Sequence, residues 1–294
     1  MIRTWIAISF AVVLSPTLHG NDSDADVAKT LAYVQSLYDP GSGGFRPMSA
    51  SPPSLRATSA AIRVLPKLGG KLPDREKTAT FLRRCYDAKS GGFAEPGEKA
   101  EVFTTAVGIM AVVELKLPRQ DFSASLTYLA REAKTFEDIR IAAAAVEAWG
   151  VRDCPFDLKP WFEKADAAIK PRQKSSPRED GARDLGSYAA FRLRLGENLP
   201  QGQEVVRFLR DGQRSDGGWG KGQGGPSDLE STYRVMRALW LLKAAPAHSQ
   251  ALDNFLQSCR NSDGGYGTQP GQPSSLSGTY YAIMVHTWMH ELRR

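Results

Sequence analysis

Four times along its length this chain repeats one phrase: a Gly-Gly pair, an aromatic residue, a polar loop, and then small and apolar residues at helical spacing. The aromatics that close the triplets are Phe45, Phe93, Trp219 and Tyr266, the first two 48 residues apart and the last two 47. Another aromatic lies 12 residues ahead of the first two triplets (Tyr33, Phe81) and 11 ahead of the last two (Phe208, Phe255). A small-residue–Thr pair follows each triplet, as Ala57-Thr58, Thr104-Thr105, Ser231-Thr232 and Gly278-Thr279. Three features in register over four copies mark a repeat protein, in which each unit buries its apolar face only against its neighbours. The 126 residues from Phe93 to Trp219 leave room for two more copies whose glycine turns have eroded.

The pattern within a copy is that of a helical hairpin. The first helices are expected at 26–38, 74–86, 120–133, 156–170, 201–213 and 247–260, and the second at 54–68, 100–116, 136–149, 183–195, 227–243 and 274–291. The second helices are apolar nearly all round, which calls for burial on more than one side, whereas the first carry a charged outer face. No sustained alternation marks a strand. Six outer and six inner helices predict an all-α fold, an α/α toroid, over 21–294. An open stack would need polar capping repeats at both ends, yet the last copy keeps its Gly-Gly-Tyr turn and an apolar helix almost to Arg294. In such a ring Gly-Gly reverses the chain through positive φ, and the aromatic plugs the joint between hairpins.

Residues 1–20 stand apart. Arg3, an apolar run from Trp5 to Leu14 and small residues near Gly20 describe an export signal; ten apolar residues are too few to span a bilayer. The expected location is therefore outside the cytoplasm, with the membrane involved only through this segment. The net charge of +6 is spread without any Lys/Arg run longer than two, which argues against nucleic acid as a partner. Cys85, Cys154 and Cys259 form no C-x-x-C pair and read as free thiols. Polar, Pro-containing 170–184 reads as an exposed loop.

The Asp-Gly-Gly-aromatic turns, the inner helices behind them and the six hairpins resemble the prenyltransferase/squalene-cyclase repeat superfamily. The likeness is greatest to the β subunits of protein prenyltransferases, particularly the Rab geranylgeranyltransferase type. It covers 24–294, strongly at both ends and weakly over 118–200. The resemblance implies an isoprenoid transferase with a helical α-subunit partner. It also implies a Zn²⁺ held by an Asp, a Cys two residues on and a His at the start of the last inner helix, where it would lower the pKa of an acceptor thiol. Here Asp228 stands at the Asp position, Glu230 at the Cys position and Gly278 at the His position. The family's diphosphate-clamping Arg and Lys are replaced by Gly222 and Gly225, leaving Lys221 nearby. Two of three ligands are unmatched, so zinc is disfavoured and no cofactor is assigned. The D-x-D-D acid of squalene–hopene cyclases and the C-G-E-Q thioester of complement-type toroids are absent.

Two readings of Asp228 and Glu230 stand side by side. Ser227-x-x-Glu230 fits a capping box with Asp228 in the first turn, which explains both carboxylates without a ligand. Alternatively they form a polar lip at the barrel mouth, with Trp219, Tyr233 and Tyr280 as further rim candidates. His286 and His290 share one helical face, but lack a third ligand and read as a solvated pair at a fraying end. GKGQGG at Gly220–Gly225 reads as a flexible loop rather than a phosphate cradle, because no strand precedes it. The expectation is an exported toroid with an apolar central cavity for an isoprenoid, lipid or peptide. The alternatives are an active transferase or cyclase with altered ligands, and a structural ring for a protein partner.

Overall fold

The computed structural model describes residues 24–175, 178–199, 201–222 and 224–294; the expected export segment lies outside them. Helices α1 (Asp24–Ser36), α3 (Arg75–Cys85), α5 (Ala124–Glu132), α7 (Lys159–Ser175), α9 (Gly202–Asp211) and α11 (Ser249–Ser258) alternate with α2 (Leu55–Val64), α4 (Val102–Glu114), α6 (Phe136–Trp149), α8 (Arg178–Arg194), α10 (Leu229–Leu241) and α12 (Leu276–Leu292). The even-numbered helices pack in succession, α2 on α4 through to α10 on α12, and α12 returns to α2. The ring is closed. Two short antiparallel strands, β1 (Tyr86–Asp87) and β2 (Gly92–Phe93), flank one glycine turn.

The seam is built like the internal joints. Thr78 Oγ1 donates to the Gly43 carbonyl at 2.9 Å and Ser125 Oγ to Gly91 at 2.7 Å. At the seam Thr30 Oγ1 donates to Gly264 at 2.8 Å, 234 residues away in sequence. Arg260 pairs there with Asp26, and the Leu276 N–H donates to the Pro47 carbonyl at 2.8 Å.

Each element of the repeated phrase has a part in these joints. The first glycines, Gly43, Gly91, Gly217 and Gly264, have φ of 84°, 80°, 92° and 87°. The second glycines lie under an aromatic of the next outer helix: a Cβ on Gly44 would be 2.8 Å from Phe81, on Gly92 2.8 Å from Tyr128, on Gly218 2.9 Å from Phe255 and on Gly265 2.7 Å from Tyr33. The upstream aromatics thus serve the preceding turn; Tyr128 does so in a copy where the sequence reading singled out none. Phe208 is the exception and packs at Gly181 of α8. The repeated threonines close the turn from inside. Thr58, Thr105, Thr232 and Thr279 are fully buried, and their hydroxyls accept from the N–H of Phe45, Phe93, Trp219 and Tyr266 at 2.9–3.1 Å. These buried amides would otherwise lack a partner, at a cost of roughly 1–3 kcal/mol each. Phe45, Phe93, Trp219 and Tyr266 are buried packing residues.

Three expectations are corrected. Most of 170–184 is helix, the end of α7 and the start of α8, with residues 176–177 outside the described set. Polar composition does not prevent a helix whose Ala182, Leu185 and Ala189 bury one face. His290 lies in the last turn of α12, as expected, but His286 is half-buried and packs edge-on to Tyr266 with ring centres 6.5 Å apart. In the loop at Gly220–Gly225 the described glycines are tethered: Arg214 donates to the carbonyls of Gly222 and Gly225, and Gly220 bridges to Ser227. Cys85 and Cys259 are free and buried, and burial pushes both thiols up to about 12. Among the described residues no helix is long and apolar enough to cross a membrane.

Candidate functional site

The ring encloses a cavity of about 560 Å³ lined from all six inner helices. Part of the wall is apolar: Phe103, Val107 and Met110 from α4, Ile141 and Ala144 from α6, and Met284 from α12. Much of the rest is charged, which corrects the expectation of an apolar interior. Arg56 and Arg63 enter from α2, Lys67 from the turn after it, Arg140 from α6, Arg194 from α8, and Arg234 and Arg237 from α10. Four glutamates, Glu114, Glu137, Glu147 and Glu230, leave the lining with an excess of positive charge.

Two ion-pair networks organise this wall. Arg234, only 7% exposed, lies 2.9 Å from Glu137 and 2.6 Å from Glu230. Arg140 reaches Glu137 at 3.1 Å, while Arg183 and Lys221 reach Glu230 at 3.5 and 3.6 Å. Burial opposes ionisation of Glu137, but Arg140 and Arg234 outweigh it and hold its carboxyl at about 2. Glu230 is likewise lowered, against its burial, chiefly by Arg234. In the second network Glu147 serves Arg237 at 3.0 Å and Arg194 at 3.4 Å. Arg56 and Arg63 have no ion-pair partner among the described residues. Arg56 donates to the Tyr281 hydroxyl at 3.2 Å and lies over Phe103, and Arg63 lies 4.4 Å from the centre of the Tyr280 ring.

The candidate residues separate into two groups. Glu230, Tyr233 and Tyr280 all line the cavity, and the hydroxyls of Tyr233 and Tyr280 are 3.2 Å apart. Asp228 and Trp219 are buried outside its lining. Trp219 donates its indole N–H to the Leu209 carbonyl at 2.9 Å. Asp228 is the N-cap of α10; it accepts from the Ser231 N–H at 2.8 Å and the Ser231 hydroxyl at 2.9 Å. The expected Ser227–Glu230 capping box is therefore corrected. The helix starts one residue later, Ser227 turns to Asp216 at 2.8 Å, and Glu230 is left for the arginines.

The donor set does not fit the zinc implied by the resemblance. Both oxygens of Asp228 are engaged by Ser231. Glu230 is enclosed by cations. A Cβ on Gly278 would lie 2.4 Å from the Tyr266 carbonyl, so this position cannot carry an imidazole. No group of three His, Cys, Asp or Glu side chains among the described residues is arranged to hold a metal.

Tyr233 stands out chemically. Burial opposes its ionisation, yet the charges of Arg194, Arg237 and Arg63 prevail and bring its hydroxyl down to about 8. Burial pushes its neighbour Tyr280 up. Ultraviolet titration is thus expected to show one of the nine tyrosines ionising near pH 8, and the step to vanish in Tyr233→Phe. A wild-type curve with no ionisation below about pH 9 would contradict this assignment (roughly the onset for an ordinary phenol).

A family model described as "Prenyltransferase alpha-alpha toroid domain" matches residues 1–140 and 191–294. The unmatched interval falls in the copies without Gly-Gly-aromatic turns. No curated protein matches the chain. Among solved structures the chain is similar to Candida albicans protein geranylgeranyltransferase-I complexed with GGPP, at 15% identity and a TM-score of 0.25. That match covers 86% of this chain and 54% of the other, so the chain spans about half the length of its relative.

Proposed function

Because the chain belongs to the prenyltransferase alpha-alpha toroid family, we propose that it uses the ring to hold a small, partly apolar molecule in its central cavity, without zinc-dependent prenyl transfer. The observation that carries this reading is the pairing of a cavity of about 560 Å³, reached by all six inner helices, with zinc positions committed to other contacts. The volume is that of an ordinary small-molecule site. An isoprenoid or lipid chain suits the wall formed by Phe103, Val107, Met110 and Ile141. Export, expected from residues 1–20, supports the same reading, since isoprenoid diphosphates are made in the cytoplasm.

Native mass spectrometry of the protein from its own host tests the proposal directly, with a retained small molecule as the expected result. A melting experiment with long-chain isoprenols and lipids tests it independently. Ligand at a hundred times its Kd adds about 2.7 kcal/mol, which raises Tm by roughly 4–5 °C in a chain of this size. A flat response across the series would favour a ring that serves only as a protein scaffold. One zinc per chain by elemental analysis, with prenyl transfer to a thiol peptide, would overturn the proposal.

A further inference from the structure

Resting on that binding reading, we infer that Arg63, Arg194 and Arg237 form a receptor for the oxyanion head of the ligand, a carboxylate or a phosphate, beside the Tyr233–Tyr280 pair. The three guanidiniums come from α2, α8 and α10 and line one cavity. Their charges act together on the Tyr233 hydroxyl, which lies 3.2 Å from Tyr280. Glu147 is the carboxylate that serves Arg194 and Arg237 together. Arg63 has none: its Nη1 faces the Met110 sulfur at 3.6 Å, its Nε the Ser59 carbonyl at 3.4 Å and its plane the Tyr280 ring.

The hydrogen bonding is also incomplete. The Nε–H of Arg237 is buried without an acceptor, and that of Arg194 has only the Glu147 carboxylate, 3.4 Å away and not hydrogen-bonded to it. Buried donors are nearly always satisfied, so the Arg237 donor in this cavity wall calls for an acceptor. An oxyanion answers both deficits at once, because its oxygens accept from guanidinium N–H groups and its charge offsets the excess of cations. The apolar remainder of the ligand would then lie along Met110, Ile141 and Met284. Arg63 and Arg194 stand in the last turns of α2 and α8, whereas Asp228 and Gly278 stand at the starts of α10 and α12. Arg63 and Arg194 therefore approach the Tyr233–Tyr280 pair from the far end of the inner helices, not from the zinc positions.

Calorimetric titration of the full chain with dodecanoate, dodecyl phosphate, dodecanol and dodecyltrimethylammonium tests the inference. The two anions are expected to bind at least about tenfold tighter than the alcohol, and the ammonium more weakly than either. Their ratio tells a carboxylate receptor from a phosphate one, and competition by inorganic phosphate tells a free anion from a headgroup. Arg63→Gln removes no ion pair and should fold; it is expected to weaken the anions about tenfold and leave dodecanol unchanged. Bound anion should also raise the pH at which Tyr233 ionises. Equal affinity for alcohol and anions, or an Arg63→Gln effect common to all four probes, would overturn the receptor and leave cavity binding intact. Binding of none of the four would remove both.

Discussion

Glu137→Gln and Glu230→Gln, combined, are expected to lower unfolding free energy by about 3–5 kcal/mol in a denaturant titration, the loss typical of a buried charge stripped of its partners. Arg234 is the reason. It is 7% exposed and both of its carboxylate contacts come from these residues, at 2.9 and 2.6 Å. Either single change leaves one carboxylate in place and should cost about 1 kcal/mol. The side chain of Glu137 is 52% exposed, so solvent screens its own share; the large loss comes from stranding the arginine. A double-mutant cycle should then show strong non-additivity. Adding Arg234→Met should recover most of the loss, since an apolar side chain needs no counter-charge. Additive losses totalling under 1 kcal/mol would show that the network does not hold α6 against α10.

The same contact sets an acid limit. Arg140 and Arg234 hold the folded Glu137 carboxyl at about 2, against an ordinary value of 4.5. Its folded pKa is depressed, so its contribution is complete above 4.5 and is lost as pH falls toward 2. Glu137→Gln should flatten that part of the stability profile.

Gly217→Ala is the second large effect, expected to cost about 3 kcal/mol or more, measured as a shift in the unfolding midpoint. Two penalties add there. Gly217 has φ of 92°, a region that costs an L-residue roughly 1–2 kcal/mol. A Cβ would also lie 2.1 Å from the Ala251 carbonyl carbon, a backbone atom of α11 that cannot rotate away, and overpacking adds roughly 1–3 kcal/mol. Gly224→Ala supplies the control. Its φ is 71°, but nothing lies within 4 Å of the added carbon, so only the backbone strain remains. Equal costs at the two positions would mean that the turn does not bear on the next hairpin.

The repeated phrase was legible because its demands are local. Positive φ requires glycine, a buried amide requires the Thr58-type hydroxyl, and both recur in each of the four copies that carry the phrase. The charged lumen was harder to read. Its charges are spaced at Glu230, Arg234, Arg237 and at Arg56, Arg63, Lys67, one stripe along each of two helices that look apolar on average. Helical spacing of charge on an otherwise buried helix was the available signal. Of the two readings of Glu230, the capping box fails for a related reason: Ser227 and Asp228 can each cap a helix, and the choice depends on Asp216, eleven residues back, claiming the serine.

By itself, then, the sequence determined the helical hairpins, their number and the closure of the ring, because turn chemistry and apolar periodicity act within one repeat or between neighbours. Tertiary structure alone decided what the ring contains. Glu137 meets Arg234 across 97 residues, and Arg63 meets Tyr280 between the first and last hairpins. Contacts of that range arise only once the circle has closed, when side chains from six helices face one another across a space too small for their charges to ignore.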